Sequence, residues 1–352
     1  MLKDTADLLL MLRDAGAEIF RVFSKPFSID SEALQRLVDA GIDVRGHSYE
    51  ELEQSEVIPR TLSEAIAASK RDNKKIVVHE VGGYFAPFIA QLSNDDAHHL
   101  AGVVEDTTFG HNRYNKCVEG IQCPVFSVAR SPLKEIEARF VGDSVATALD
   151  QILRDIGVTI SGRSALVVGY GMIGKNVASA LKARKLTVAV YDKHDHRILN
   201  AFSRGYHVHK KRELLMRSDL VVSATGEGAI TLEDIEECKN GAILASAGSK
   251  DTEFDVRGLR DLAIGTTHVT DHLVQYELPN GKWVYVARQG TAVNFLIESV
   301  PDEIIDLVFA EIILCTMLLL KRDEGLDTGR ILSLPPTYLN NIAKDWLKDV
   351  NR

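Results

Sequence analysis

Two hydrophobic periods alternate along the chain. From residue 164 onward, short apolar runs recur: ALVVG, TVAVYD, YHVH, LVVSATG and AILASAG. Between them, residues 175–183 and the stretch around 197–203 carry apolar positions at helical spacing. Apolar runs separated by helices read as strands of a parallel sheet covered on both faces. The expected fold class is α/β, with a Rossmann-type doubly wound parallel sheet in one domain. A hairpin, VQYELPNGKWVYVA, follows and turns at Asn280-Gly281.

The N-terminal part alternates in the same way. Helical patterns cover 5–15, 31–40 and 61–69, the first two closed by Gly16 and Gly41. Strand patterns cover 17–23, 42–45, 75–79 and 124–128. A long helical pattern over 134–155 contains Gly142 and bridges two domains. The tail from 300 is helical. These patterns predict a second α/β domain over 1–141, completed by helices in 300–352, and a cofactor domain over 142–299. Hinges are expected near Gly142 and Val293. Glu80-Val81-Gly82-Gly83 follows the strand KIVVH at its carboxyl end, where ligands collect in open α/β sheets. Taken alone, Gly82-Gly83 is a tight turn.

The sharpest motif lies after ALVV. Gly169-Tyr170-Gly171-Met172-Ile173-Gly174 sits between a strand and a helix, and the next strand ends in Asp192. The first glycine permits the tight turn, the second lets backbone approach a pyrophosphate, and the third lets helix pack on strand. The N–H groups opening the helix, near Met172 and Ile173, point at the phosphates. A carboxylate at Asp192 accepts from ribose hydroxyls and repels a 2′-phosphate, so NAD is expected rather than NADP. Lys193, His194 and Arg197 lie close by.

Composition narrows the partners. The 352 residues are 45% hydrophobic and 26% charged, a globular balance, and the net charge is −9. Basic runs no longer than Lys210-Lys211-Arg212 give no nucleic-acid face. Cys117, Cys123, Cys238 and Cys315 form no CxxC pair and no zinc spacing, so no metal site is expected. Asp4 and Asp7 interrupt a secretory signal, and the apolar stretch 312–320 is too short to cross a bilayer. The expected setting is the cytoplasm, away from membranes.

With the Rossmann unit placed, its flanks resemble the adenosylhomocysteinase family, the NAD-dependent S-adenosylhomocysteine hydrolases, from about Thr5 to about Leu314. Four segments carry the resemblance: TADLLLMLRDAGAEIFRVFSKPFSIDSEALQRLVDAGIDV, GVVEDTTFG at 102–110, the glycine motif with its strands, and VQYELPNGKWVYVARQGTAVN at 274–294. In that family bound NAD oxidises the substrate's 3′-hydroxyl, the 5′ thiol is eliminated, water adds, and the ketone is reduced back. The resemblance implies that Thr107 and Thr108 lie on the nicotinamide side and that Asn294 holds the carboxamide. It implies that Ser223, Ala224, Thr225, Gly226 and Gly248 line the cofactor. It places Asp106 at a substrate-side acid and Lys134 at the lysine that contacts the 3′-hydroxyl. It also implies a homo-oligomer, a dimer or tetramer.

The substrate side departs from the family pattern. Ala138 and Arg139 stand for an Asp and an Asn, and Asp143 for a Cys near the nicotinamide. Ser249, followed by Lys250 and Asp251, stands for a catalytic His. The loop FLIESVPDEII after Asn294 contains no His. The adenine-contacting segment ahead of Thr5 is mostly missing, with Leu2 and Asp4 where a Thr and a Glu stand. Glu80, His79, Asp143, Ser249 and Lys250 are candidate replacements, with Glu80 and Ser249 as substrate contacts. The expected function is oxidation of a secondary hydroxyl on a small nucleoside- or sugar-like substrate, with Lys134 as base or hydroxyl anchor and Asp106 orienting it. Efficient adenosylhomocysteine hydrolysis is not expected. The alternative is a non-catalytic NAD-binding sensor or scaffold.

Overall fold

Strand residues that alternate between two apolar cores set the architecture of a computed structural model, which describes residues 3–25, 29–248, 252–321 and 325–350. The chain divides into a split unit, Met1–Lys134 with Asp302–Arg352, and an inserted unit, Glu135–Pro301. The split unit opens with β1 (Val22–Ser24), β2 (Val44–Gly46), β3 (Ile76–Glu80), β4 (Leu100–Glu105) and β5 (Val125–Ser127). The inserted unit carries β6 (Ser164–Val168), β7 (Thr187–Tyr191), β8 (His207–Val208), β9 (Leu220–Ser223), β10 (Ala242–Ser246), β11 (Gly265–Thr270), β12 (Leu273–Glu277) and β13 (Trp283–Ala287). Then β14 (Ile331–Leu332) returns to the split unit.

The inserted unit is a Rossmann-type α/β fold. Its sheet runs β11-β12-β13-β10-β9-β6-β7-β8. Strands from β13 to β8 pair in parallel, and β12 and β11 add an antiparallel edge. Ala165 and Val167 of β6 face one core with Val145, Leu149 and Ile152 of the helix Pro132–Asp155. Leu166 and Val168 face the other, with Val221, Leu244 and Leu259. Both faces are thus buried, as a doubly wound sheet requires. Gly142 lies inside the unbroken helix Pro132–Asp155, where a Cβ would come 2.6 Å from the Asn176 carbonyl carbon. Its bare backbone lets the helix Met172–Ala183 approach closely.

The split unit is also α/β. Its four-stranded sheet runs β14-β5-β4-β3, all parallel, and β1 pairs β2 separately. Val103 and Val125 pack under the helices Val57–Asp72 and Thr108–Cys117, through Leu62, Ile66 and Tyr114. Val104 and Phe126 pack against Val308, Ile312, Cys315 and Leu319 of the helix Asp302–Lys321. Among the described residues no helix is long and apolar enough to cross a membrane.

Some elements differ from the sequence reading. Residues 17–23 contain a strand only from Val22, which pairs with Val44; Arg21 just before it turns to Asp43 and Glu64, at 3.1 and 2.7 Å. β4 escaped because Gly102, at φ +156, interrupts its apolar run. A Cβ there would collide with Leu319 and lie 2.5 Å from the Pro124 carbonyl oxygen. β11 is a polar sheet edge, GTTHVT, and carries no alternation to read.

Leu166 is fully buried in the centre of the larger sheet. Leu166→Ala is expected to cost about 2–5 kcal/mol, read as a lowered urea midpoint of the inserted unit. An unchanged midpoint would contradict its central placement.

Candidate functional site

The glycine turn has the shape its sequence requires. Gly169 sits at φ +92, and a Cβ on it would lie 2.8 Å from the Ala224 carbonyl oxygen. A Cβ on Gly174 would collide with the Gly169 carbonyl, so only glycine lets this helix close on this strand. Gly171 differs: a Cβ there would meet nothing nearer than the Arg197 guanidinium at 3.8 Å. It caps the helix Met172–Ala183 with no side chain, leaving bare backbone ahead of Met172 and Ile173. Asp192 is 4% exposed and accepts from Tyr170 N–H at 2.7 Å, His194 N–H at 2.9 Å and Arg197 Nη1 at 3.4 Å. The carboxylate therefore ties the glycine turn to the end of β7. An open backbone cradle at a helix N-terminus fits a dinucleotide pyrophosphate.

A residue not read from the sequence organises the loop after β9. Glu253 is fully buried and accepts from Ser223 Oγ at 2.5 Å, Thr225 N–H at 2.8 Å, Thr225 Oγ1 at 2.7 Å and Gly226 N–H at 2.6 Å. It also lies against Gly248, where a Cβ would strike its carboxylate. A lone acid beyond a strand gives no sequence signal for such a role. Asn294 is 5% exposed, and its Nδ2 donates to Ser299 Oγ at 2.8 Å. Ser249, Lys250 and Asp251 lie outside the described residues.

In the split unit the functional candidates gather at the carboxyl ends of β3 and β4, where Glu80 and Glu105 stand in register. Lys134 Nζ donates to Asp106 Oδ1 at 2.8 Å, both side chains half-buried. Lys134 stands where it does because Ser131 caps its helix: Ser131 Oγ accepts from Lys134 N–H at 3.1 Å, with Pro132 opening the helix. Thr107 caps the helix Thr108–Cys117, accepting from Gly110 N–H at 3.0 Å and donating to Glu105 Oε1 at 2.7 Å. Thr108 is exposed beside it.

Glu105 is the buried knot of this region. It is fully buried and accepts from Gly83 N–H at 2.9 Å, Gly82 N–H at 3.2 Å and Thr107 N–H at 2.6 Å. Glu80, 6% exposed, accepts from Tyr114 Oη at 2.5 Å and Phe85 N–H at 3.1 Å. Burial pushes both carboxyls well up, and for Glu105 the charge of Glu80 adds to it. The two carboxyls therefore titrate as a coupled pair, and near neutral pH the pair retains a proton. Tyr114, on the packed face of its helix, gave no sign of this in the sequence.

The other candidates are placed as follows. His79 meets Thr316 Oγ1 at 3.1 Å, and desolvation lowers its pKa to about 4, so it is neutral. Ala138 is 2% exposed. Asp143 is exposed, 4.0 Å from the Arg184 guanidinium. Glu311 escaped the sequence reading altogether. It is 1% exposed and accepts from Ser131 Oγ at 2.6 Å through Oε2. The signal was available: an acid on the i, i+3, i+4 stripe Ile304, Leu307, Val308, Glu311, Ile312, Cys315 must be buried.

A carboxyl whose folded pKa is raised stabilises the fold at low pH, and that contribution is lost as pH rises through the folded value. For Glu80 this loss builds as pH rises to about 7. Glu80→Gln is expected to flatten the decline of melting temperature between pH 4.5 and about 7. An identical pH profile in the variant would rule out this proton uptake.

Comparison with known proteins agrees with this geometry. The family model for the S-adenosyl-L-homocysteine hydrolase NAD binding domain matches residues 143–299. The adenosylhomocysteinase of Aeropyrum pernix is 30% identical over 88% of this chain and 73% of its own length. The S-inosyl-L-homocysteine hydrolase of Methanopyrus kandleri is 30% identical over 97% of this chain and 79% of its own. The adenosylhomocysteinase of Sulfolobus acidocaldarius is 29% identical over 98% and 81%. A glycine cradle built for a pyrophosphate, a matched NAD-binding domain and relatives aligned over nearly the whole chain lead to one conclusion: this chain is an NAD-binding member of the adenosylhomocysteinase family.

Proposed function

We propose that the chain is an enzyme that oxidises a secondary hydroxyl of a small nucleoside- or sugar-like substrate. The observation that carries this reading is the Lys134–Asp106 pair at 2.8 Å, one residue from Thr107 at the carboxyl end of β4. Bound NAD supplies the hydride acceptor. In this reading Gly169, Gly171, Met172, Ile173 and Gly174 hold its pyrophosphate and Asp192 its ribose. Thr225, Gly226, Gly248 and Asn294 shape the rest of its bed.

Lys134 holds the substrate hydroxyl and its proton. Asp106 fixes the direction of the ammonium, so the hydroxyl meets it in one orientation. The buried Glu105 keeps Thr107 and the Gly82-Gly83 turn in place. Ser249 is kept as a substrate contact. Efficient hydrolysis of S-adenosylhomocysteine is not part of the proposal. What supports this is Ala138 and Arg139 in place of the family's Asp and Asn, and a loop after Asn294 without histidine. The Methanopyrus relative, named for S-inosyl-L-homocysteine, supports a family whose members differ in the base they accept.

The test is to offer the purified protein S-adenosylhomocysteine, S-inosylhomocysteine, adenosine, inosine and related polyols, and to follow the NADH absorbance band. One nucleoside or polyol is expected to reduce bound NAD. Lys134→Ala is expected to slow this by about 10²–10⁴-fold while NAD stays bound. No NADH with any probe would leave the sensor or scaffold reading standing instead. Rapid thiol release from S-adenosylhomocysteine would show that hydrolysis of that substrate is retained.

We also propose a cytoplasmic homo-oligomer, a dimer or tetramer. The four cysteines are unpaired thiols, as a reducing compartment keeps them. On the helix Asp195–Ser203, Leu199 and Phe202 are 67% and 62% exposed, three residues apart on one face. Sedimentation velocity is expected to show a dimer or larger species that Leu199→Glu weakens; a monomer at micromolar concentration would refute assembly.

A further inference from the structure

We infer that Glu311 is a third ionisable member of the Asp106–Lys134 cluster, a positioning residue whose proton occupancy sets the net charge around the Lys134 ammonium. This rests on the reading of Lys134 and Asp106 given above and deepens it.

The geometry is specific. Glu311 projects from the helix Asp302–Lys321 and is 1% exposed. Its Oε2 accepts the Ser131 hydroxyl proton at 2.6 Å. The same hydroxyl oxygen accepts Lys134 N–H at 3.1 Å, so Glu311 decides how the cap is oriented at the turn that carries Lys134. Its Oε1 is buried and has no hydrogen-bond partner among the described residues. An unpaired carboxylate oxygen in such a place is costly, and protonation relieves the cost. The group accordingly titrates near 7, raised first by burial and also by the charge of Asp106, against lowering by Ser131 and Lys134.

The neighbours that could carry charge are few. Asp106 comes from the end of β4 and Lys134 from the start of the long helix. Cys315, one turn along on Glu311's own helix, is pushed up to about 12 and stays a thiol. His79 on β3, meeting Thr316, is held down to about 4 and stays neutral. Across neutral pH Glu311 changes charge in this group. When a substrate hydroxyl gives its proton to the Lys134 amine, the O–H bond breaks, an N–H bond forms on Nζ, and the electron pair stays on the substrate oxygen. Ionised Glu311 makes the cluster a better acceptor for that proton; neutral Glu311 makes it a better donor for the return.

The experiment is infrared titration of the substrate-free protein with its bound NAD. Beside the band of the Glu80–Glu105 pair, assigned by its change in Glu80→Gln, a second protonated-carboxyl band is expected to vanish with a midpoint near 7. Glu311→Gln, which keeps an acceptor for Ser131, is expected to delete that band. Asp106→Asn is expected to move the midpoint down, because the like charge that raises it is gone. Survival of that second band in Glu311→Gln, or a midpoint indifferent to Asp106→Asn, overturns the inference. Should Glu311→Gln not fold, Ser131→Ala decides: the lost hydrogen bond shifts the band frequency, and an unshifted band counts against it. These readings need neither substrate nor turnover, so they are independent of the NADH test that judges the proposed reaction.

Discussion

A carboxylate taken out of water must be given donors, and this chain uses that demand to tie its loops. Glu105 in the split unit and Glu253 in the inserted unit are both fully buried. Glu105 collects backbone N–H and hydroxyl donors from the segments after β3 and β4, and Glu253 from the end of β9 and the loop that follows it. A loop on its own loses conformational entropy when it is ordered. A charge-assisted set of hydrogen bonds offsets that loss and fixes several N–H vectors at once. Thr107 in the split unit, and Thr225 and Gly226 in the inserted unit, inherit their positions from these two acids.

The same logic governs the two buried acids above the split sheet. Glu105 gathers backbone and hydroxyl donors, Glu80 the Tyr114 phenol and backbone N–H, and burial raises both so that the pair holds a proton near neutral pH. Two carboxyls in register on adjacent strands cannot both be charged at this depth. Glu311 reaches a similar condition by another route, with one oxygen bonded and the other left bare.

How much was legible depended on whether a residue's signal was local. The glycine turn, its strands and Asp192 announce themselves because each glycine answers a steric demand within a few residues. β4 was hidden by Gly102, whose reason lies in Leu319 and Pro124, distant in sequence. β11 was hidden because an exposed edge has no apolar face to reveal it. Lys134 and Asp106 could be named from family resemblance, but their 2.8 Å contact joins segments whose proximity no local pattern expresses. Glu105, Glu253 and Glu311 were missed for a common reason: an acid reads as surface until something shows that it is surrounded. For Glu311 the helical stripe did show it, since its neighbours at three- and four-residue spacing are all apolar.

The split of one unit around the other has a consequence for the order of synthesis. The inserted unit, Glu135–Pro301, is complete once its last strand and the turn holding Asn294 have emerged. The sheet of the split unit must still wait for β14, and its second apolar layer for the helix Asp302–Lys321. A nascent chain can thus own a finished nucleotide cradle while Val104 and Phe126 remain uncovered, a stretch of exposed β-rich surface during translation. Glu311 arrives on the covering helix itself, so the layer that shields the sheet and the acid beside Lys134 are delivered in one event.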